Sequence, residues 1–240
     1  MKNQYFGNIG DYGKYALLRF MSEQGVSVAV NWYLTADDGD DDKKQTSYLE
    51  DVKYWKYDPD LYRHLRESVI VKNERSISVI GENDLIPDAK IFDDQLEDPR
   101  DYSKSERSEV RKKWHMKGLD KLAGTDMVFL DPDSGFRDSL PKKIDDAVKY
   151  CYSGEVSDYY KSGSDICFYT QRGRRSDAQW QEAKKHMKDA LPGAVMMGLT
   201  FRDGGSFIFA IHPQRADRMK DHLDAFLHTD WRDMFSEEPV

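Results

Sequence analysis

The chain has 240 residues, a formal net charge of -8, 39% hydrophobic residues and 33% charged ones. That is long enough for one large domain with a real core, and the acidic balance argues against an avid, non-specific nucleic-acid binder. No apolar run approaches the ~18 residues of a membrane span, and Met1-Lys2-Asn3-Gln4 lacks the apolar stretch of a signal peptide. The reading is therefore a cytoplasmic protein with no membrane partner.

Asn3 to Gly7 is a polar lead-in, after which Asp11 is read as the cap of a helix carrying Tyr12, Tyr15, Ala16, Leu18 and Phe20, stopped by Gly25. Val26 to Leu34 is apolar and rich in β-formers, which predicts a first strand buried on both faces. It runs into an acidic loop, Asp37 to Asp42, containing the single glycine Gly39. A helix is expected over about Thr46 to Trp55, another over Leu61 to Val71, then short strands at Ser76–Ile80 and Lys90–Phe92. The polar stretch from Asp94 leads into a charged helix from about Ser105 to Leu122. Together they form an insertion at about 94–122 in an otherwise single domain, 1–240.

Met127 to Leu130 is an apolar run that stops at Asp131-Pro132-Asp133-Ser134-Gly135, which reads as a buried strand ending at a stiff loop. A helix near Ile144–Tyr150 and a Gly/Ser-rich loop through Ser164 follow. Ile166–Tyr169 is a strand ending in the basic run Arg172, Arg174 and Arg175. A helix over Asp177–Ala190 comes next, then two β-rich runs, Ala194–Phe201 and Ser206–Ile211, joined by Arg202-Asp203-Gly204-Gly205, a strong hairpin signal. Met219, Leu223 and Phe226 mark a last helix, and the tail from Asp230 is expected to be mobile. Cys151 and Cys167 have neither metal nor redox spacing, and Cys167 is expected in the core. His115 and His186, in charged helices, are expected at the surface.

Alternating strands and helices predict an α/β fold of three layers, with a mostly parallel seven-stranded sheet and a C-terminal antiparallel hairpin. Four segments carry a family resemblance: Gly7, Asn8, Asp11 and Lys14 before the first strand; Leu34-Thr35-Ala36-Asp37-Asp38-Gly39 at its end; Tyr48-Leu49-Glu50; and Asp131-Pro132-Asp133-Ser134. On these the chain resembles, over most of its length, the ribosomal RNA adenine-N6 methyltransferases of the small Rossmann-like type. The resemblance implies a Rossmann-like methyltransferase fold, S-adenosylmethionine as methyl donor, and a nucleic-acid base in RNA or DNA as acceptor. It implies Asn8, Asp37, Asp38 and Gly39 as cofactor-binding residues, and Asp131, Pro132 and Asp133, with Lys14 covering the site, as catalytic ones.

Two departures accompany it. Asp40 and Asp41 stand where the family's cofactor loop has a second glycine, and Asp-Pro-Asp-Ser replaces the family's Asp-Pro-Pro-Tyr. Phe136 offers a ring from a shifted position.

The residues also permit other readings. Asp37, Asp38, Asp131 and Asp133 at two strand ends would suit Mg²⁺ or Mn²⁺ in a phosphoesterase or nuclease, although a solvated acidic turn has the same composition. Arg172, Arg174 and Arg175 suit substrate phosphates, or merely solvate a helix start. A third reading is a catalytically degenerate protein that binds a nucleotide or a protein partner.

Overall fold

The computed structural model describes residues 1–39, 45–103, 105–138 and 144–240, with side chains from residue 147 onward in the last segment. The expected replacement of a glycine by Asp40 and Asp41 lies outside the described residues. Among those described, the chain alternates strands with helices around one seven-stranded sheet.

Helix α1 (Ile9–Glu23) begins the fold. Its cap is Asn8 rather than Asp11: the Asn8 carboxamide oxygen accepts the Asp11 N–H at 2.8 Å. Asp11 is instead turned inward and fully buried. Next come β1 (Val28–Asn31), α2 (Pro59–Arg66), α3 (Ser78–Glu82), β2 (Lys90–Phe92) and α4 (Arg107–Leu122). The second half holds β3 (Met127–Leu130), β4 (Gly135–Arg137), β5 (Tyr150–Tyr152), α5 (Ser153–Lys161), β6 (Asp165–Gln171) and α6 (Asp177–Ala190). It closes with β7 (Val195–Phe201), β8 (Gly205–Ile211), α7 (Ala216–Leu227) and β9 (Phe235–Glu237).

Side chains alternate across a strand, and the burial pattern divides accordingly. Val28, Val30, Met127, Phe129, Phe207 and Phe209 face one core shared with α1, α2, α3 and α7. Ala29, Val128, Leu130, Ile166, Phe168 and Ile208 face a second core shared with α4, α5 and α6. Helices thus cover both faces. Helix α4 contributes Trp114 and Leu122 to that second core, and Cys167 is buried in the first.

The sheet order is β2-β1-β3-β6-β8-β7-β9. The pairings of β2 with β1, β1 with β3 and β3 with β6 are parallel, and the three that follow are antiparallel. The sheet is therefore mixed, not mostly parallel. β7 and β8 pair antiparallel across the turn at Arg202 to Gly204, but they do not end the sheet, because β9 adds to β7 beyond them. A separate parallel pair, β4 and β5, stands beside it.

Several local expectations are corrected. Ser76–Ile80 is not a strand: the Ser76 hydroxyl accepts the Ser78 N–H, a local bond that competes with a ladder, and α3 follows. The stretch read as a loop before Ser164 contains α5, whose Glu155 carboxylate accepts the Tyr152 N–H and whose Val156 and Tyr159 pack inward. Thr46–Trp55 forms two short 3-10 turns, Ser47–Glu50 and Val52–Lys56. The tail is tied down by buried Trp231 and Phe235, with the Glu238 carboxylate accepting from Trp180 Nε1 at 3.0 Å and Lys184 Nζ at 2.8 Å. His115 is buried, its Nε2 at 3.0 Å from Asp158. Among the described residues no helix is long and apolar enough to cross a membrane.

Candidate active site

Strands β1, β3 and β6 run the same way, so their carboxyl ends share one edge of the sheet, the edge where ligands bind in open α/β folds. Three further pieces reach this edge for topological reasons. Helix α1 feeds into the start of β1, so its N-terminal turn comes back over the strand ends. Loop 35–39 leaves from β1. And because β8 is antiparallel to β6, with Gly205 opposite Gln171, the turn before β8 arrives at the same lip.

These pieces enclose a polar cavity of about 400 Å³, within the range of small-molecule sites. Asn8, Lys14, Asp38, Asp131, Pro132 and Asp133 all line it, and Lys14 and Asp131, 117 residues apart in sequence, meet there. Asp37 and Gly39 are not in the lining: the Asp37 carboxylate accepts the Gln4 N–H, and the Gln4 side-chain oxygen accepts the N–H groups of Asp38 and Gly39. The loop is therefore stitched to the N-terminal turn. Arg172, Arg174 and Arg175 stand on the same rim but outside the lining. Arg172 pairs with Asp177, Arg175 donates to the carbonyls of Gln171 and Arg172, and Arg174 is exposed.

The floor is a buried charge cluster. Lys14 Nζ lies 2.9 and 3.0 Å from the two carboxylate oxygens of Asp131 and 3.3 Å from Asp11. Burial alone would lower the lysine pKa, but Asp131 and then Asp11 overcome it and raise it, so Lys14 stays an ammonium. Asp11 is pushed up to about 6, chiefly by burial and further by Asp131, against the opposing pull of Lys14. Asp133 feels burial first, yet the Met1 amino group at 3.0 Å, with Lys2 and Lys14, holds it below the usual carboxylate range. Asp38 is paired with Lys2.

Each of these four carboxylates thus has an ammonium beside it. Among the described residues no group of three or more His, Cys, Asp or Glu could hold a metal ion.

The ring expected from Phe136 is not in the lining. Phe136 is buried in the second core, stacked on Phe168 with centroids 5.8 Å apart. The cavity's rings are Tyr5 and Tyr169 instead. The Tyr169 ring lies over the Lys14 ammonium, 4.3 Å from ring centroid to Nζ, and its hydroxyl lies 3.4 Å from Asp203. Tyr169 and Asp203 are the residues that sequence reasoning missed. The hairpin signal was legible, and pairing it against β6 would have brought Asp203 to this rim.

A larger cavity, about 670 Å³, lies on the other face between loop 96–102, α4 and the start of α5. Its lining is mostly apolar, and within it Arg111 holds Glu155 bidentately and donates to the carbonyls of Ala147 and Tyr150. Compared with known proteins, the chain matches no family model and no curated sequence.

Proposed function

We propose that the chain is a methyltransferase-like enzyme that acts on a nucleic-acid base with S-adenosylmethionine, on a Rossmann-like sheet. The strand order supports the fold reading: a parallel half built on β1 and β3, then an antiparallel strand inserted beside β6. One contact carries the functional reading. Lys14, of the Gly7, Asn8, Asp11 and Lys14 segment, binds both oxygens of Asp131, of Asp131-Pro132-Asp133-Ser134, so two of the four segments that carry the resemblance meet in one site.

The donor set fits the methyl donor. S-adenosylmethionine brings a sulfonium, an ammonium and a carboxylate, and supplies the methyl group to be transferred. The cavity lining carries both signs, carboxylates for the cations and the Lys2 and Lys149 ammonium groups for the carboxylate, and the cofactor would share each of them with its present partners. In this chain Lys14 fixes the orientation of Asp131 by binding both its oxygens, Pro132 stiffens the loop that follows, and Tyr169 closes one wall with a flat ring. Arg174, exposed on the rim, is the basic-loop residue best situated for a backbone phosphate of RNA or DNA. The metal-dependent alternative is weaker, because the carboxylates it would need already face ammonium groups.

The test is methyl transfer from isotopically labelled S-adenosylmethionine to single-stranded RNA and DNA. Incorporation is expected with the wild type and a fall of at least ~10²-fold with Asp131→Ala, the scale of removing a positioned group at a reacting centre. Equal incorporation by the two proteins would refute the assignment.

A further inference from the structure

Among the described residues five aspartates line the cavity: Asp11, Asp38, Asp131, Asp133 and Asp203. Four of them have an ammonium within ion-pairing distance; among the described residues Asp203 has neither an ammonium nor a guanidinium partner. It sits at the tip of the β7–β8 turn, where the residue as a whole is exposed, but its carboxylate turns back toward the cavity. One oxygen accepts the Gly205 N–H at 2.7 Å, and the other faces the Tyr169 hydroxyl and the start of α1. That approach depends on Gly10: a Cβ there would meet the Asp203 carboxylate at 2.7 Å and Asn8 at 3.2 Å. A carboxylate brought close to a helix backbone and left without a cation keeps unused acceptor capacity.

Asp131, by contrast, has both oxygens engaged by Lys14. An incoming N–H donor would have to compete with a buried ammonium for them, and a charge-assisted bond of that kind is the stronger one.

We infer that Asp203 is the specificity-determining residue of this site, the carboxylate that accepts a hydrogen bond from the exocyclic amino group of the substrate base. The inference rests on the base-methylating reading above and places the amino-group contact on the β7–β8 turn. A site with a free carboxylate selects a ligand that brings an N–H and rejects the analogue without one, because the acceptor is then left unpaired. Burial raises the Asp203 carboxyl above its ordinary pKa, opposed by the Gly205 N–H, Lys14 and Tyr169, which fits an acceptor lacking a cation of its own.

The experiment compares adenosine with purine riboside, which differs only in lacking the amino group, by titration into the full chain at neutral pH. Wild type is expected to prefer adenosine at least tenfold. In Asp203→Ala, which removes the acceptor, the ratio is expected to collapse to within about twofold of unity, and Gly10→Ala, which displaces the carboxylate without removing it, is expected to lower it as well. Asp221→Asn, at an exposed position of α7, serves as a control and keeps the ratio. Thermal midpoints of all variants monitor folding.

A wild type that does not discriminate, or an Asp203→Ala that still does, overturns the inference. So does an Asp203→Ala that loses S-adenosylmethionine binding while keeping the adenosine preference, because Asp203 would then serve the methyl donor. If wild type prefers adenosine and Asp203→Ala does not, yet neither binds S-adenosylmethionine, the Asp203 assignment stands and the methyltransferase reading fails.

Discussion

At the scale of residues, the site depends on one lysine shared by two buried carboxylates. Removing one partner of a buried ion pair costs about 3–5 kcal/mol, because the remaining charge is left unsolvated. Lys14→Met strands Asp11 and Asp131 together, so its urea midpoint is expected to drop by that order, and the double variant Lys14→Met/Asp131→Asn is expected to recover part of the loss. A single variant within ~1 kcal/mol of wild type would mean that the cluster is not held as described.

Asp11 gives a pH test whose sign is fixed. Its folded pKa, about 6, lies above the ordinary 3.8, so between those values the folded state binds more protons than the unfolded one. The Asp11 contribution therefore grows as pH falls from about 6 toward 3.8, by at most on the order of 3 kcal/mol. The stability difference between wild type and Asp11→Asn, followed by urea unfolding across this window, is expected to shift in favour of wild type on acidification; a flat difference would contradict it. Asp203, also raised, is expected to lose its preference for an amino-bearing base at a higher pH than an ordinary carboxylate would.

At this scale Lys14 and Asp131 were legible because their segments carry recognisable residue types. Tyr169 and Asp203 were not, because a strand-end tyrosine and a turn aspartate are common for reasons unrelated to ligands.

At the scale of elements, α1 positions the site, and its closeness to the sheet is set by glycine. Glycine within a helix costs about 1 kcal/mol relative to alanine, so Gly13→Ala would be expected to stabilise. A Cβ at Gly13, however, would meet the Phe201 ring at 2.9–3.0 Å along several atoms, and Phe201 is fully buried against Phe235. Overpacking of this kind costs about 1–3 kcal/mol. Gly13→Ala is therefore expected to lower the melting temperature, and a rise would show that α1 stands further from the sheet.

Strands and helices with strong patterns, such as β3 and α6, were legible from periodicity. Those decided by local side-chain bonds were not. Ser76 turned an apolar run into α3, and Glu155 organised a helix within a Gly/Ser-rich stretch. The edge strand β9 escaped notice because three exposed-looking residues become a strand only when β7 offers its edge.

At the scale of the whole molecule, the alternation of elements pointed to an α/β fold, and the mixed character of the sheet comes from β8 inserting antiparallel between β6 and β7, with β9 adding a further antiparallel pairing at the edge. The distribution of charge matters more here than its total. The net charge is -8, yet within the site Lys2, Lys14 and the Met1 amine offset four carboxylates, and among the described residues Asp203 has no ammonium or guanidinium partner. The central claim is that the lip shared by β1, β3 and β6 is a methyl-donor site organised by Lys14 and Asp131. The most direct measurement is isothermal titration of S-adenosylhomocysteine into the wild type and Asp131→Ala, both verified as folded. Saturable one-site binding by the wild type, weakened at least tenfold in the variant, is the result expected. No heat of binding to the wild type, or identical binding by the two proteins, would contradict it.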